Sequence, residues 1–161
     1  MPHSPDIFET HAIAVPKFGS GEVAQILEVE LWKLNRFLSR YELTSSGQLG
    51  EGRGSRRVYN QEDIYRIATA MFLIHDGFAP KLVAQIMQML EDVDFYGAPN
   101  EEGDFSELGI SLRRTDSGPE VRIFRADNPP ELSTETTTFY ALNLSTITRS
   151  VNRRIAGLKK K

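Results

Sequence analysis

The chain has 161 residues, 40% hydrophobic and 25% charged, the composition of an ordinary globular protein with room for a real core. It contains no cysteine, which excludes disulfides, thiolate metal sites and cysteine nucleophiles together. The formal net charge of −3 argues against a uniformly basic surface, but the charges are segregated. Residues 33–57 carry Lys33, Arg36, Arg40, Arg53, Arg56 and Arg57 against only Glu42 and Glu51. Residues 145–161 carry Arg149, Arg153, Arg154, Lys159, Lys160 and Lys161 and no acid. Acids gather at Glu91, Asp92 and Asp94 and again from Glu101 to Glu107. The pattern predicts a basic face on an acidic body.

Residues 1–17 hold Pro2, Pro5 and Pro16 without a sustained hydrophobic period, and read as an arm. Asp6 and Glu9 stand where a signal peptide would be apolar. No apolar run approaches the roughly 18 residues needed to cross a bilayer, so a cytoplasmic protein without a membrane partner is expected. Ser20 reads as an N-cap, with Val23, Ala24 and Leu27 at helical spacing after it. A second helix is predicted from about Glu30, with Leu31, Leu34, Phe37 and Leu38 on its buried face. Lys33, Arg36 and Arg40 fall largely off that face. Two short helices separated by a few residues have the spacing of a helix-turn-helix.

The run SSGQLGEGRGS places Gly47, Gly50, Gly52 and Gly54 at a flexible hairpin tip, and Arg57, Val58 and Tyr59 form the returning strand. Asn60 caps a helix through His75, with Ile64, Ile67, Ala68, Met71 and Phe72 as its buried stripe. Gly77 stops it, and Pro80 opens a further helix facing inward through Val83, Ile86, Met87 and Leu90. Residues 97–109 are a linker by content. ISLRR and EVRIF around TDSGP predict a hairpin, FYALNL a third strand, and Ser145 the start of a final helix. The fold class is therefore α+β. A winged helix-turn-helix spans 18–96, and a strand-rich dimerisation region with a basic last helix spans 110–161.

A helix that enters a groove and a hairpin that grips neighbouring phosphates point to duplex DNA as the partner. Lys33, Asn35, Arg36 and Arg40 are the candidates for the groove, since arginine reads guanine bidentately and asparagine reads adenine. Arg53, Arg56 and Arg57 on a glycine-rich loop suit phosphates. Tyr59 either packs on the core or reaches a phosphate through its hydroxyl. Trp32 and Phe37 are expected to be packing residues.

His3, His11 and His75 lack ligand-like spacing, so neither a metal nor another cofactor is expected. The glycines match neither a G-x-G-x-x-G fingerprint nor a Walker loop. Glu101, Glu102, Asp104 and Glu107 sit between linker glycines, and the serines and threonines of residues 133–150 have no histidine nearby. No catalytic residues are assigned, and an enzyme is not expected.

Taken together, GEVAQILEV, LWKLNRFLSR, SRRVYNQEDI and HDGFAPKLVAQIMQML resemble the DNA-binding domain of MerR-type transcription regulators over residues 18–90. The resemblance implies a homodimer on a pseudo-palindromic operator, with the C-terminal region adding dimer contacts and in some relatives ligand sensing. The chain departs from the family pattern at Glu30, where a small hydroxyl cap is usual. Asn35-Arg36-Phe37-Leu38 stands in place of Arg-Tyr-Tyr-Glu, and a linker and strands replace the long dimerising helix. Ile147, Val151, Ile155 and Leu158 form a stripe on the last helix that needs cover, from its own hairpin or from a symmetry mate, and a homodimer held largely by the region after Gly109 is expected. Two rival readings accompany this one. One is a protein-interaction module of chaperone-modulator type without DNA binding; the other is a small-molecule sensor with a cavity lined by Phe124, Phe139 and Tyr140.

Overall fold

The apolar spacing of residues 20–40 resolves into two short helices in a computed structural model, which describes residues 17–41, 43, 47–49, 56–90, 108–125, 128, 130–131 and 138–158. Helix α1 (Ser20–Ile26) buries Val23, Ala24 and Ile26, and α2 (Leu31–Arg40) buries Leu34 and Leu38. The cap of α1 is Gly19 rather than Ser20, which is already helical. Glu22 Oε2 accepts the Gly19 N–H at 2.8 Å, placing a carboxylate at the positive end of the helix dipole. Between the helices Glu28 adopts a left-handed conformation, φ 56°. The Val29 N–H reaches back to the Ala24 carbonyl at 3.0 Å and completes the turn. A residue with a β-carbon costs about 1–2 kcal/mol in that conformation, so the turn must be held from outside.

Strands β2 (Gly47–Leu49) and β3 (Arg56–Tyr59) pair antiparallel with Gly47 opposite Val58. The start of the glycine-rich run is thus strand, where only a hairpin tip was expected. A short strand β1 (Phe18–Gly19), which the sequence did not announce, pairs with β3 and gives the order β1-β3-β2. It fastens the entry of α1 to the wing. Helix α3 (Gln61–His75) opens on a reciprocal cap: Asn60 Oδ1 accepts the Asp63 N–H at 2.8 Å, and Asp63 Oδ2 accepts the Asn60 N–H at 2.9 Å. Such caps contribute about 1 kcal/mol each. Ile64, Tyr65, Ile67, Ala70 and Leu73 are its buried apolar residues, whereas Phe72, expected in that stripe, is 44% exposed. Gly77, at φ 89°, ends α3 in a left-handed turn that a β-carbon would strain. Helix α4 (Pro80–Leu90) buries Val83, Ile86, Met87 and Leu90 as expected. Arg66 Nε donates to the Leu90 carbonyl at 3.2 Å.

Strands β4 (Leu108–Thr115), β5 (Gly118–Arg125) and β6 (Thr138–Asn143) form a second antiparallel sheet, ordered β5-β4-β6. Strand β4 begins at Leu108, inside the span read as linker, whose residues 97–107 lie outside the described residues. Ile110, Leu112 and Leu142 are buried in the core shared with the helices. Ser111 and Arg113, on the other face of β4, are buried too. Arg113 donates to the Glu131 carbonyl at 2.9 Å and pairs with Glu120 at 3.3 Å. Gly109 is opposite Phe124, whose ring lies 2.4 Å from where a β-carbon at Gly109 would be.

Helix α5 (Leu144–Leu158) follows β6 directly and packs against α3, α1 and β4. Val151 and Ile155 are buried, with Ile147 and Leu158 partly buried against the same continuous core as Val23, Leu34 and Ile110. Much of the stripe is thus covered within its own chain. Four polar contacts lock α5 down. Arg154 donates to the Ile26 carbonyl at 3.2 Å and pairs with Glu28 at 3.1 Å. Asn152 accepts hydrogen bonds from Gln61 and Tyr65. Tyr140 of β6 makes a further tie between the two parts of the chain, donating to Asp76 at 2.8 Å and packing edge-on against Phe78. Burial, then the bond to Asp76, pushes its phenol up to about 12. Among the described residues no helix is long and apolar enough to cross a membrane.

Arg154 thus closes the open end of α1 and holds Glu28 in its left-handed turn. Replacing it by alanine should lower the urea unfolding free energy by about 1–2 kcal/mol, one charged hydrogen bond plus a weak exposed pair. Arg153→Ala, an exposed neighbour, should stay within about 0.5 kcal/mol of the parent chain. Equal losses from the two would deny Arg154 a specific role.

Candidate nucleic-acid interface

Burial of Leu34 and Leu38 fixes which side of α2 faces out. At the helical i, i+4 step, two rows occupy that side: Leu31, Asn35 and Ser39 in one, Trp32, Arg36 and Arg40 in the other. All six residues are exposed. Beside them, Arg56 and Arg57 at the start of β3 are exposed, while Val58 and Tyr59 turn into the core. The start of α1 closes the third side. Together these elements enclose an open concavity of about 540 Å³ lined by Gly19, Ser20, Gly21, Asn35, Ser39, Arg56 and Arg57.

The lining has a definite chemistry. Among the described residues it offers two guanidinium groups, an amide and two hydroxyls, and no carboxylate. Such donors suit a polyanion, and the glycines on the α1 side leave room for a backbone to come close. Of the residues expected from sequence, the concavity gathers Asn35, Arg56 and Arg57. Arg36 and Arg40 lie one row over on the same outer side of α2, with Arg40 stacked near Tyr41 at 5.8 Å. Lys33 is engaged by Glu30 at 2.8 Å and stands 5.4 Å from the Trp32 ring. Arg53 lies outside the described residues. Ser39 was missed, although its four-residue step from Asn35 was there to read. Ser20 was assigned only as a cap, and its approach to α2 and β3 is a product of folding.

Three expectations are corrected here. Tyr59 is fully buried, so of its two readings packing holds and a phosphate contact does not. Its hydroxyl is buried without a hydrogen-bond partner among the described residues. Trp32, expected to pack, is 57% exposed, and Leu31, expected on the buried side, is 45% exposed. The reason is geometric: α2 buries only the narrow row through Leu34 and Leu38, and its first turn projects beyond the core. Phe37 is half-buried against Tyr41, ring centroids 4.6 Å apart, as a packing residue should be.

The electrostatics of the α2 tip are paired. Lys33, through its hydrogen bond and then its charge, holds the Glu30 carboxyl below the ordinary carboxylate range, and the Trp32 indole acts in the same direction. Glu28 is paired with Arg154 at 3.1 Å. Neither acid therefore stands uncompensated at the face where an anionic partner would approach. Among the described residues no three histidines or carboxylates come together as a metal site.

Residues 18–90, from β1 through α4, match the family model of the MerR HTH family regulatory proteins. No curated protein matches the chain.

Tyr59 tests the interface as drawn. Tyr59→Phe removes a buried hydroxyl that has no partner among the described residues, so stability should hold or rise by about 1 kcal/mol. Affinity for duplex DNA should not change. A loss of affinity without a loss of fold, measured by fluorescence anisotropy, would restore the hydroxyl as a contact.

Proposed function

We propose, from the premise that residues 18–90 are a MerR-type helix-turn-helix domain, that the chain is a transcription regulator binding duplex DNA as a homodimer. The observation that carries the reading is the convergence of Asn35, Arg56 and Arg57 on one concavity beside the outer side of α2. In this reading Arg56 and Arg57, with Arg53, meet phosphates and set register. Asn35, Arg36, Arg40 and Lys33 face the major groove, where arginine and asparagine discriminate guanine and adenine. Lys33 would exchange Glu30 for DNA, at little cost because the pair is exposed on both sides.

The homodimer rests on operator geometry, two recognition helices about one DNA turn apart. Since Val151 and Ile155 are already covered within the chain, the stripe does not itself demand a partner. We place the contact on the region after Gly109, where Ile147 and Leu158 remain partly open beside Val151 and Ile155. The interaction-module rival draws on the net charge of −3 and the exposed tip of α2. The small-molecule sensor would need Phe124, Phe139 and Tyr140 around one cavity. Phe124 pairs opposite Gly109 and Tyr140 opposite Leu112, positions on opposite faces of the sheet.

Salt dependence decides between the DNA reading and the interaction module. Affinity for random-sequence duplex should fall steeply with salt, and Arg56→Ala with Arg57→Ala should flatten the log–log slope by about two. A salt-independent or absent interaction would favour the module. For assembly, sedimentation equilibrium of the full chain at tens of micromolar should report a dimer. A monomer there would sink the twofold arrangement and leave the salt result standing.

A further inference from the structure

Of the four exposed large apolar residues among those described, Trp32, Leu31, Phe72 and Met89, the first two adjoin at the first turn of α2. They head the two outward rows, and Asn35, Arg36, Ser39 and Arg40 follow behind them. A single exposed apolar side chain is ordinary on a protein surface. An adjacent pair at the end of a helix that places its first residues against base edges is a different matter. We propose that Trp32, with Leu31, is an apolar reading tip that recognises thymine C5-methyl groups in the major groove. The inference rests on the DNA reading above and deepens it.

The choice of ligand follows from what the major groove displays. Its base edges carry hydrogen-bond donors and acceptors, and one apolar group, the thymine methyl. With the indole N–H turned to Glu30, Leu31 and the Trp32 ring offer carbon and an aromatic face, whose apolar complement there is that methyl. The charge around the tip fits the same partner. Arg36 and Arg40 stand one and two turns along the row behind Trp32, and Arg56 and Arg57 flank the concavity beside it. Lys33 Nζ sits 5.4 Å from the indole ring and is itself paired with Glu30 at 2.8 Å, so a cation stands beside the tip as well.

Trp32 is the only tryptophan in the chain, so its emission reports on this one contact. Full-length protein is first used to enrich duplexes from a random-sequence library. The best duplex is then resynthesised with uracil in place of every thymine, which removes methyl groups and nothing else. Wild-type affinity should fall about fourfold for each methyl that was covered, the value of one buried carbon. Bound thymine duplex should blue-shift the emission and shield it from iodide. Trp32→Ala should bind the thymine duplex more weakly and be indifferent to the exchange, and Trp32→Phe should keep part of the discrimination. Because Trp32 is exposed, circular dichroism of both variants should match the parent. If salt-dependent binding persists but the exchange costs nothing, or costs the same in Trp32→Ala, the tip does not read methyl groups and only this inference falls. If no duplex is enriched and no salt-dependent binding occurs, the DNA reading falls with it, and the tip passes to a protein partner.

Discussion

The structure hangs on the docking of α5 against the helix-turn-helix. Helix α1 is seven residues long, too short to persist alone in water, and its turn contains a left-handed glutamate. Both weaknesses are met by a residue 128 positions away: Arg154 satisfies the Ile26 carbonyl and pairs with Glu28. Val151 and Ile155 complete the same core that holds Leu34 and Leu38. Once that core closes, the rotation of α2 about its axis is set, and with it which side chains face outward. The geometry of the candidate interface is in this sense a consequence of the C-terminal helix.

Charge follows the same logic. A net charge of −3 looks wrong for a DNA-binding surface until the acids are located. Glu28 and Glu30, the two nearest the tip of α2, are each paired with a cation, Arg154 and Lys33. The remaining cations on this side, Arg36, Arg40, Arg56 and Arg57, are exposed on α2 and β3. Local sign, rather than the sum over the chain, decides what the surface attracts.

Much of the site was legible in the residues. Arginines beside glycines marked the wing, the i, i+4 spacing of Leu34 and Leu38 marked the buried side of α2, and Asn60 with Asp63 marked the start of α3. The misreadings share one cause. Trp32, Leu31 and Phe72 were assigned inward by residue type and period, yet a helix end or flank that projects past the core leaves even large apolar residues in solvent. Tyr59 was left open between two environments because a strand end gives no cue to which side is covered. Ser20 and Ser39 belong to the concavity only because α1, α2 and β3 meet there, a coincidence of three segments that no local pattern encodes.

The order of elements, the helix-turn-helix spacing, the basic wing and the resemblance over residues 18–90 were determined by the sequence alone. They depend on interactions between near neighbours: caps, turns, helical periods and the conformational freedom of glycine. The tertiary structure alone decided where the final helix goes. A stripe of Ile147, Val151, Ile155 and Leu158 states that apolar surface must be buried, but hydrophobic burial has no direction and does not name the covering surface. Only the packing of α5 on α1, α3 and β4 settled that most of this cover comes from the same chain, and the same packing left Trp32 standing in solvent at the tip of α2.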